Sequence, residues 1–320
     1  MDSPRYTVIV PMRNFRADEP VLASLRERIP SDGPAQILVA EGNHPARQRN
    51  EALAWAQGEI IVFLDNDCRL GPTYWSVLEE AFSRPEVEIV GGPALLRSDA
   101  TGPERIFHAL LTHPLVVGPL CSRYAARGEF RPATQMQLIL CNLAARVSTF
   151  TKTGPLSHRL YPNEENEWLD RAQAAHGIWY DPRQQVFRPQ RSSWIEMARM
   201  LVRYGMGRTR QLQVSGWKMS IHHILPLLWV VPILAIVLGP AYMISLVLLG
   251  LLVGIIAAAT CNSHLTLGQR CVAALVAPLI PMFYTLGQIL GWFTLFTPLP
   301  DASTPIGIYN EKGERLNPDG

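Results

Sequence analysis

The sequence predicts an α/β domain with a mostly parallel central sheet, followed by a C-terminal α-helical transmembrane region. Residues 1–218 have an ordinary globular mix of charged and apolar residues, whereas Arg270 is the one formal charge between Lys218 and Asp301. In the first part, short continuous apolar runs alternate with helical patterns. The overall composition of 48% hydrophobic and 18% charged residues fits a soluble domain joined to a membrane domain.

The N-terminal elements follow one another as strand and helix. Apolar runs predict strands over residues 6–11, 35–40 and 59–64, with helices over 18–29 and 45–57. Such strands, separated by helices, are typical of a parallel sheet covered on both faces. Ligands bind such sheets where the strands end, at their carboxyl edge. The segments expected to line a site are therefore Pro11 to Asn14, Glu41 to Asn43 and Asp65 to Asp67.

Asp65 and Asp67 form the local motif that most clearly indicates a functional site. Two carboxylates spaced i, i+2 after a buried strand can bind one Mg²⁺ or Mn²⁺ ion, although aspartates also commonly cap the next helix. The sequence has neither a Gly-x-Gly-x-x-Gly motif after the first strand nor a phosphate-binding P-loop. A metal ion and arginines would then have to hold phosphates, which indicates nucleotide-sugar chemistry.

The apolar segment divides into about three spans, at roughly 20 residues per crossing. The first two runs are residues 220–238 and 241–261. The third, 271–297, is interrupted by Pro278 and Pro281 and is long enough to tilt, kink or re-enter. We expect residues 219–297 to form the transmembrane region and residues 298–320 a C-terminal tail.

The segment 188–218, which precedes these runs, is basic and amphipathic. Its many arginines oppose a single acid, Glu196, which by the positive-inside rule keeps this flank cytoplasmic. The N-terminal residues MDSPRYTVIV lack the pattern of a signal peptide. We therefore expect a multi-pass protein of the inner (cytoplasmic) membrane with a cytoplasmic catalytic domain over residues 1–187.

Charge and cysteine content exclude other classes. A net charge of +2 without a basic stripe argues against nucleic acid as a partner. The five cysteines follow no disulfide or zinc-binding spacing.

Five blocks stand in order along the chain: TVIVPMRN, ARQRNEALAWAQGEIIVFLDNDC, GGP, CNLAARVSTFTKTGPLSHRLYPNEENEWLDRA and RYGMGR. Together they resemble the glycosyltransferases of family 2 over residues 6–210, which have a nucleotide-sugar-binding GT-A fold. The last block and the C-terminal spans are most similar to membrane glycosyltransferases of bacterial exopolysaccharide assembly, of the succinoglycan type.

The resemblance implies roles at the nucleotide. Pro11 and Arg13 would border it, and Glu41 stands where the family usually has an aspartate that recognises the base. The positions that match the family's nucleotide side further include Arg49, Asn50, Asp65 and Glu164. Asp67 would be the principal ligand of Mn²⁺ or Mg²⁺, with Asp65 contacting the ribose or the metal.

A second acidic cluster, Glu164 to Glu167, includes the expected catalytic base. An inverting transfer needs one carboxylate to take the proton of the acceptor hydroxyl. Glu165 matches the family's residue for this role. The cluster also has the pattern of an acidic first helical turn capped by Asn163, and the two interpretations are compatible.

Three arginines near the first span, Arg191, Arg203 and Arg208, are candidates to bind the donor diphosphate or the phosphate of a lipid acceptor. The alternative is that their charges serve topology alone. Gly205 and Gly207, between the last two arginines, predict a break in the helix.

The function predicted is an inverting, metal-dependent glycosyltransferase. Its donor would be a nucleotide diphosphate sugar, with a UDP-sugar preferred, and its acceptor a membrane-associated, lipid-linked molecule. The Gln-x-x-Arg-Trp motif of processive relatives is absent. Two alternatives are a polyprenyl-phosphate sugar synthase and a membrane-anchored nucleotide-binding assembly subunit without turnover.

Overall fold

The computed structural model describes residues 4–29, 35–173, 177–217, 265–294 and 305–316, with five further positions between 247 and 254. The chain divides into two compact units. The first contains residues 1–97, 122–189 and 300–320, and the second contains residues 98–121 and 190–299. The predicted spans 220–238 and 241–261 lie outside the described residues, apart from those five positions.

The strands are β1 (Tyr6–Met12), β2 (Ala35–Glu41), β3 (Ile60–Leu64), β4 (Arg69–Leu70), β5 (Ile89–Gly91), β6 (Ala94–Leu96), β7 (Arg131–Pro132), β8 (Asn142–Arg146), β9 (Ile178–Tyr180), β10 (Val186–Arg188) and β11 (Gly307–Tyr309). The helices are α1 (Pro20–Arg28), α2 (Pro45–Leu53), α3 (Tyr74–Phe82), α4 (Gly102–Leu111), α5 (Pro114–Val117), α6 (Val147–Thr153), α7 (Glu164–Gln173), α8 (Trp194–Val214), α9 (Leu267–Val276) and α10 (Leu279–Phe293), with a 3₁₀ helix over Gly118–Arg123. The three strands and two helices predicted before residue 65 are confirmed, with shorter helices than expected.

The main sheet has the strand order β11-β2-β1-β3-β8-β5-β9-β7. β1 pairs in parallel with β2 and β3, as predicted. The prediction of a mostly parallel sheet is wrong for the whole sheet, which is mixed: β5 and β9 pair in parallel, but β8 lies antiparallel between β3 and β5, and the β7–β9 and β11–β2 pairs are also antiparallel. Residues 97–141 separate β8 from β6, and they do not form a simple helical crossover between two strands. The connection therefore does not require β8 to run parallel to β3. A smaller sheet has the order β4-β10-β6.

Both faces of the main sheet are buried, which explains the unbroken apolar sequence of β3. Ile60, Val62 and Leu64 pack on one face, together with residues of α1 and α3. Ile61 and Phe63 pack on the other face, with residues of α2 and α7. Because a strand directs alternate side chains to opposite faces, burial on both sides requires every residue to be apolar. The strand therefore fixes the position of the polar residues that follow it.

The second unit is built around the crossing of α8 and α10. A Cβ added at Gly205 would lie 2.1 Å from the carbonyl oxygen of Tyr284, and one at Gly287 would lie 2.1 Å from that of Val202. Thr209 donates a hydrogen bond to the Gln288 carbonyl oxygen at 2.9 Å. The prediction that Gly205 and Gly207 break the helix is wrong, since α8 is continuous through both. Gly205 instead lets two helix backbones approach closely.

Among the described residues, one stretch, Leu267–Phe293, is long and apolar enough to cross a membrane by length and composition. It contains α9 and α10, with a turn at Ala277 and Pro278. This stretch overlaps the third predicted run, 271–297.

Candidate active site

Asp65 and Asp67 lie directly after β3, at the carboxyl edge of the main sheet. Their side chains are partly exposed, 27% and 33% respectively, so the carboxylates are reachable from solvent. Arg188, at the end of β10, donates from Nη1 to Asp65 Oδ2 at 3.2 Å and from Nη2 to Asp67 Oδ2 at 3.0 Å. One guanidinium therefore bridges the two predicted metal ligands.

Arg49 connects this pair to the second acidic cluster. Its buried side chain, on α2, donates to Asp65 Oδ1 at 2.7 Å and lies 3.6 Å from Glu164 Oε1. Pro45 at the first turn and His44, whose Nδ1 accepts from the Arg47 amide, fix the start of α2. The helix thus holds Arg49 between a strand-end aspartate and a helix-start glutamate that are far apart in sequence.

Glu164 and Glu165 begin α7 and are both buried. Burial and the neighbouring Glu165 carboxylate raise the pKa of Glu164 from 4.5 to about 8, against the opposing effect of Arg49. Glu165 Oε1 lies 3.5 Å from Nη1 of Arg123, which is also buried. Arg123 is held by the Met136 carbonyl at 3.0 Å and by Asn166. Each of the two glutamates therefore has its own arginine.

Glu167 has a different partner from the first two acids of α7. Arg171, one turn further along, donates from Nε to Glu167 Oε1 at 2.6 Å. The same arginine donates to the Thr153 carbonyl and, at 2.8 Å, to the Pro155 carbonyl. Glu167 therefore anchors the loop before α7. The prediction of an acidic first helical turn is confirmed, and the catalytic role of the cluster stays a prediction.

Pro11 and Glu41 lie on adjacent strands, since the register of β1 and β2 pairs Pro11 with Ala40 and Met12 with Glu41. The Glu41 carboxylate accepts the Phe15 amide at 2.7 Å, which leaves its other oxygen for further donors. Arg13 is exposed in the loop after β1. The segments after β1 and β2 thus share one edge of the sheet, as predicted.

Asn50 exchanges two hydrogen bonds with the backbone of Leu156, at 2.8 and 3.1 Å. The side chain holds the loop that leads to α7, and its nucleotide-binding role stays a prediction. Arg191, Arg203 and Arg208 belong to the second unit. Arg191 and Arg203 are exposed, whereas Arg208 is buried against Gln211 and the hydroxyl of Tyr284.

Two arginines that contact the acids of the site, Arg123 and Arg188, are not predicted from the sequence. Arg123 and Arg188 are 42 or more positions from the acids they pair with, and neither follows a recognisable motif. In the sequence, Arg188 stands out only as the first residue of the basic segment 188–218. A strand-end position, like that of Asp65, was the one signal that could have singled it out.

The donor set fits a cation that arrives with a substrate. No group of three or more His, Cys, Asp or Glu residues that could hold a metal occurs in the described parts of the chain. Mg²⁺ and Mn²⁺ are commonly held by one or two carboxylates together with substrate phosphates and water. Asp67 and Asp65 supply that number of carboxylates, with Asp67 Oδ1 bonded only weakly, to the Cys68 thiol at 3.8 Å.

The mixed α/β sheet and the acidic residues at its edge define a GT-A-like domain. Residues 18–145 match the family model "Glycosyl transferase family 2". This match supports a family 2 glycosyltransferase domain within the chain.

Comparison with one solved structure supports the same fold. The chain is similar to "Mannosyltransferase PcManGT from Pyrobaculum calidifontis in complex with GDP-Man and Mn2+", with a TM-score of 0.52 and 16% identity over 92% of this chain and 88% of that one. A weaker match is S. aureus TarS, with a TM-score of 0.42 and 12% identity over 62% of this chain and 39% of that one. A search of curated proteins found no match.

Proposed function

We propose that this protein is an inverting, divalent-metal-dependent glycosyltransferase that moves a sugar from a nucleotide diphosphate to a lipid-linked acceptor at the cytoplasmic face of a membrane. The observation that carries the proposal is the cluster of Asp65, Asp67, Glu164 and Glu165, interleaved with arginines inside a family 2 domain. The mannosyltransferase of similar fold contained Mn²⁺ and a nucleotide diphosphate sugar.

The donor side of the reaction is assigned to Asp65, Asp67, Arg49 and Arg188. Asp67 and Asp65 would hold Mn²⁺ or Mg²⁺, which when bound neutralises the negative charge of the departing diphosphate. Arg49 orients Asp65 through their 2.7 Å hydrogen bond. Guanidinium groups form hydrogen bonds well with phosphate oxygens. Arg188, which contacts the same two carboxylates, is therefore assigned as a second arginine that binds the diphosphate of the sugar donor. Pro11, Arg13 and Glu41 border the nucleotide in this proposal.

Glu165 is assigned as the base that takes the proton of the acceptor hydroxyl. It lies at the start of α7, beside Glu164, whose 3.6 Å contact with Arg49 connects it to the donor side. Arg123, 3.5 Å from Glu165, holds the carboxylate at the start of α7. A single displacement at the anomeric carbon, with Glu165 removing the proton, inverts the configuration of the transferred sugar.

The membrane association rests on the second unit and the apolar sequence that it contains. Leu267–Phe293 is long and apolar enough to span a bilayer. Large apolar side chains are exposed in the described parts of this unit, among them Ile195, Trp217 and Phe293, with Trp217 stacked on Trp292. Aromatic residues of this kind favour the membrane interface.

The acceptor assignment follows from this membrane association. Confinement of enzyme and acceptor to one surface raises the acceptor's effective concentration, which favours a lipid-linked molecule. Arg191, Arg203 and Arg208 are proposed to bind the diphosphate or the phosphate of that acceptor.

The test is transfer by the purified full chain in lipid nanodiscs. Sugar transfer from UDP- and GDP-sugars is measured with and without Mn²⁺, using lipid extracts as acceptor, and the anomeric configuration of the product is read by NMR. We expect metal-dependent transfer with inversion to a lipid-linked product. Retention of configuration would contradict the inverting mechanism. Full activity in the presence of a chelator would show that the reaction does not require a metal.

The same experiment distinguishes the alternatives. Transfer to polyprenyl phosphate itself would identify a polyprenyl-phosphate sugar synthase. Binding of a nucleotide sugar without any release of nucleoside diphosphate would identify a non-catalytic assembly subunit. The rates of transfer from UDP-sugars and from GDP-sugars show whether the donor is the preferred UDP-sugar or carries GDP, the nucleotide bound to the similar mannosyltransferase.

A further inference from the structure

We propose that Arg188 is a built-in counter-ion that occupies the cation position between Asp65 and Asp67. A divalent metal then enters this position only together with a nucleotide diphosphate, because the diphosphate binds the guanidinium group that the metal displaces. This inference rests on the proposed function and adds an order of binding to it. Its starting observation is that Oδ2 of both aspartates is bonded to the same side chain.

The oxygens available to a metal are few while Arg188 is in place. Asp65 uses Oδ1 for Arg49 and Oδ2 for Arg188. Asp67 uses Oδ2 for Arg188. A cation that contacts both carboxylates therefore competes with the guanidinium groups of Arg188 and Arg49 for these oxygens, and it approaches the positive charge of Arg188 while doing so.

The position of Arg188 is set by strand pairing rather than by the aspartates. β10 pairs antiparallel with β4, the short strand that follows Asp67, and in parallel with β6. This frame fixes the backbone of Arg188 beside the Asp65–Asp67 loop. The guanidinium itself is at the end of a flexible stem and its side chain is 20% exposed, so it can turn to a new anion while the backbone stays in place.

The balance of charges around Asp65 and Asp67 favours entry of the divalent cation together with the diphosphate. The carboxylates of Asp65, Asp67 and Glu165 face the guanidinium groups of Arg49, Arg123 and Arg188. Glu164, with its raised pKa, adds less than a full negative charge near neutral pH. A divalent cation alone would make this cluster strongly positive. A cation bound to a diphosphate brings its own compensating negative charge and leaves the balance unchanged.

The experiment measures Mn²⁺ binding directly, by the loss of the electron paramagnetic resonance signal of free Mn²⁺. It uses the purified full chain, with and without UDP or GDP. The variant is Arg188→Met, which keeps the apolar stem and removes the charge. The matched control is Arg69→Met, which removes an exposed positive charge two residues from Asp67 but outside this cluster of ion pairs.

We expect wild type to bind Mn²⁺ weakly alone and more tightly with the nucleotide. Arg188→Met should bind Mn²⁺ alone about tenfold more tightly than wild type or better, because one repelling charge at contact distance is gone. Its gain from the nucleotide should be smaller than that of wild type. Arg69→Met should match wild type in both measurements.

Unchanged Mn²⁺ affinity in Arg188→Met, or an equal gain in Arg69→Met, overturns the counter-ion role. If Arg188→Met does not fold, Arg188→Lys decides, because an ammonium group lacks the fork that holds both carboxylates and should give a smaller gain. Failure of the proposed function looks different: no protein, wild type included, would bind Mn²⁺ even with UDP or GDP.

Discussion

At the scale of single residues, the site consists of acids that each contact an arginine. Asp67 has one such contact, with Arg188, whereas Asp65 has two. Glu164 contacts Arg49, and Glu165 contacts Arg123. Substituting one acid at a time therefore tests the role assigned to that acid.

Asp67→Ala should abolish metal-dependent turnover and leave the melting temperature nearly unchanged. The side chain lies on a loop after β3 and is one-third exposed, so little packing is lost, and Arg188 keeps Asp65 as a partner. Nucleotide release across a Mn²⁺ titration and thermal unfolding measure the two effects. Asp18→Ala, which removes an exposed acid paired with Arg16, is the control. Full activity of the Asp67 variant would remove its metal assignment.

Glu165→Gln should lower the transfer rate by roughly 10²–10⁴ while donor affinity stays close to that of wild type. Glutamine keeps the size and hydrogen bonding of the side chain but loses its basicity. Glu164→Gln should cost less. Single-turnover rates and nucleotide-sugar binding separate the two parameters. A larger loss at Glu164 than at Glu165 would mean that the base is the other carboxylate.

The raised pKa of Glu164 predicts how stability changes with pH. The folded protein binds this proton with a pKa of about 8, against 4.5 for an ordinary glutamate, so between these values the folded state holds more protons than the unfolded state. The contribution of Glu164 to the free energy of unfolding therefore falls as pH rises from about 4.5 to about 8. Melting temperatures of Glu164→Gln and wild type should diverge in favour of the variant over this range. A difference that does not change with pH would contradict this prediction.

At the scale of helices and strands, the crossing of α8 and α10 depends on glycine. Gly205→Ala places a methyl group 2.1 Å from the Tyr284 carbonyl oxygen, so the helices must separate, at a cost of about 1–3 kcal/mol. Gly268→Ala is the matched control, because nothing lies within 4 Å of a Cβ at that position. It should stabilise α9 by up to about 1 kcal/mol. Thermal unfolding of the full chain measures both, and equal effects would contradict the close crossing.

The predictable part of the fold and site follows from local sequence. β3 is apolar at every position because both of its faces are buried, and this pattern located Asp65 and Asp67 at its end. Arg123 and Arg188 could not be located, because Arg123 contacts a helix that begins about 40 positions further along the chain and Arg188 is positioned by the small sheet that contains β10. Gly205 was misinterpreted for a similar reason, since its partner helix lies about 80 positions further along the chain.

At the scale of the whole molecule, the two units are interleaved in sequence. The chain leaves the first unit after residue 97, returns at residue 122, leaves again after residue 189 and returns at residue 300. The last return ends in β11, which pairs antiparallel with β2 and places Gly307 opposite Glu41. The apolar segment is therefore an insertion between two parts of one sheet.

This pairing of β11 sets the parity of the membrane crossings. A strand hydrogen-bonded to β2 must lie on the same side of a bilayer as β2. A segment between residues 218 and 301 that spans the membrane, as proposed above, would therefore have to cross completely an even number of times. Three full crossings would place β11 on the opposite side, and we therefore expect one of the three apolar runs to turn back within the membrane. Single cysteines at the exposed positions Glu51 and Lys312, introduced after Cys261→Ser and Cys271→Ser, should react alike with a membrane-impermeant maleimide in sealed vesicles. Labelling of one but not the other before the vesicles are opened would show an odd number of crossings.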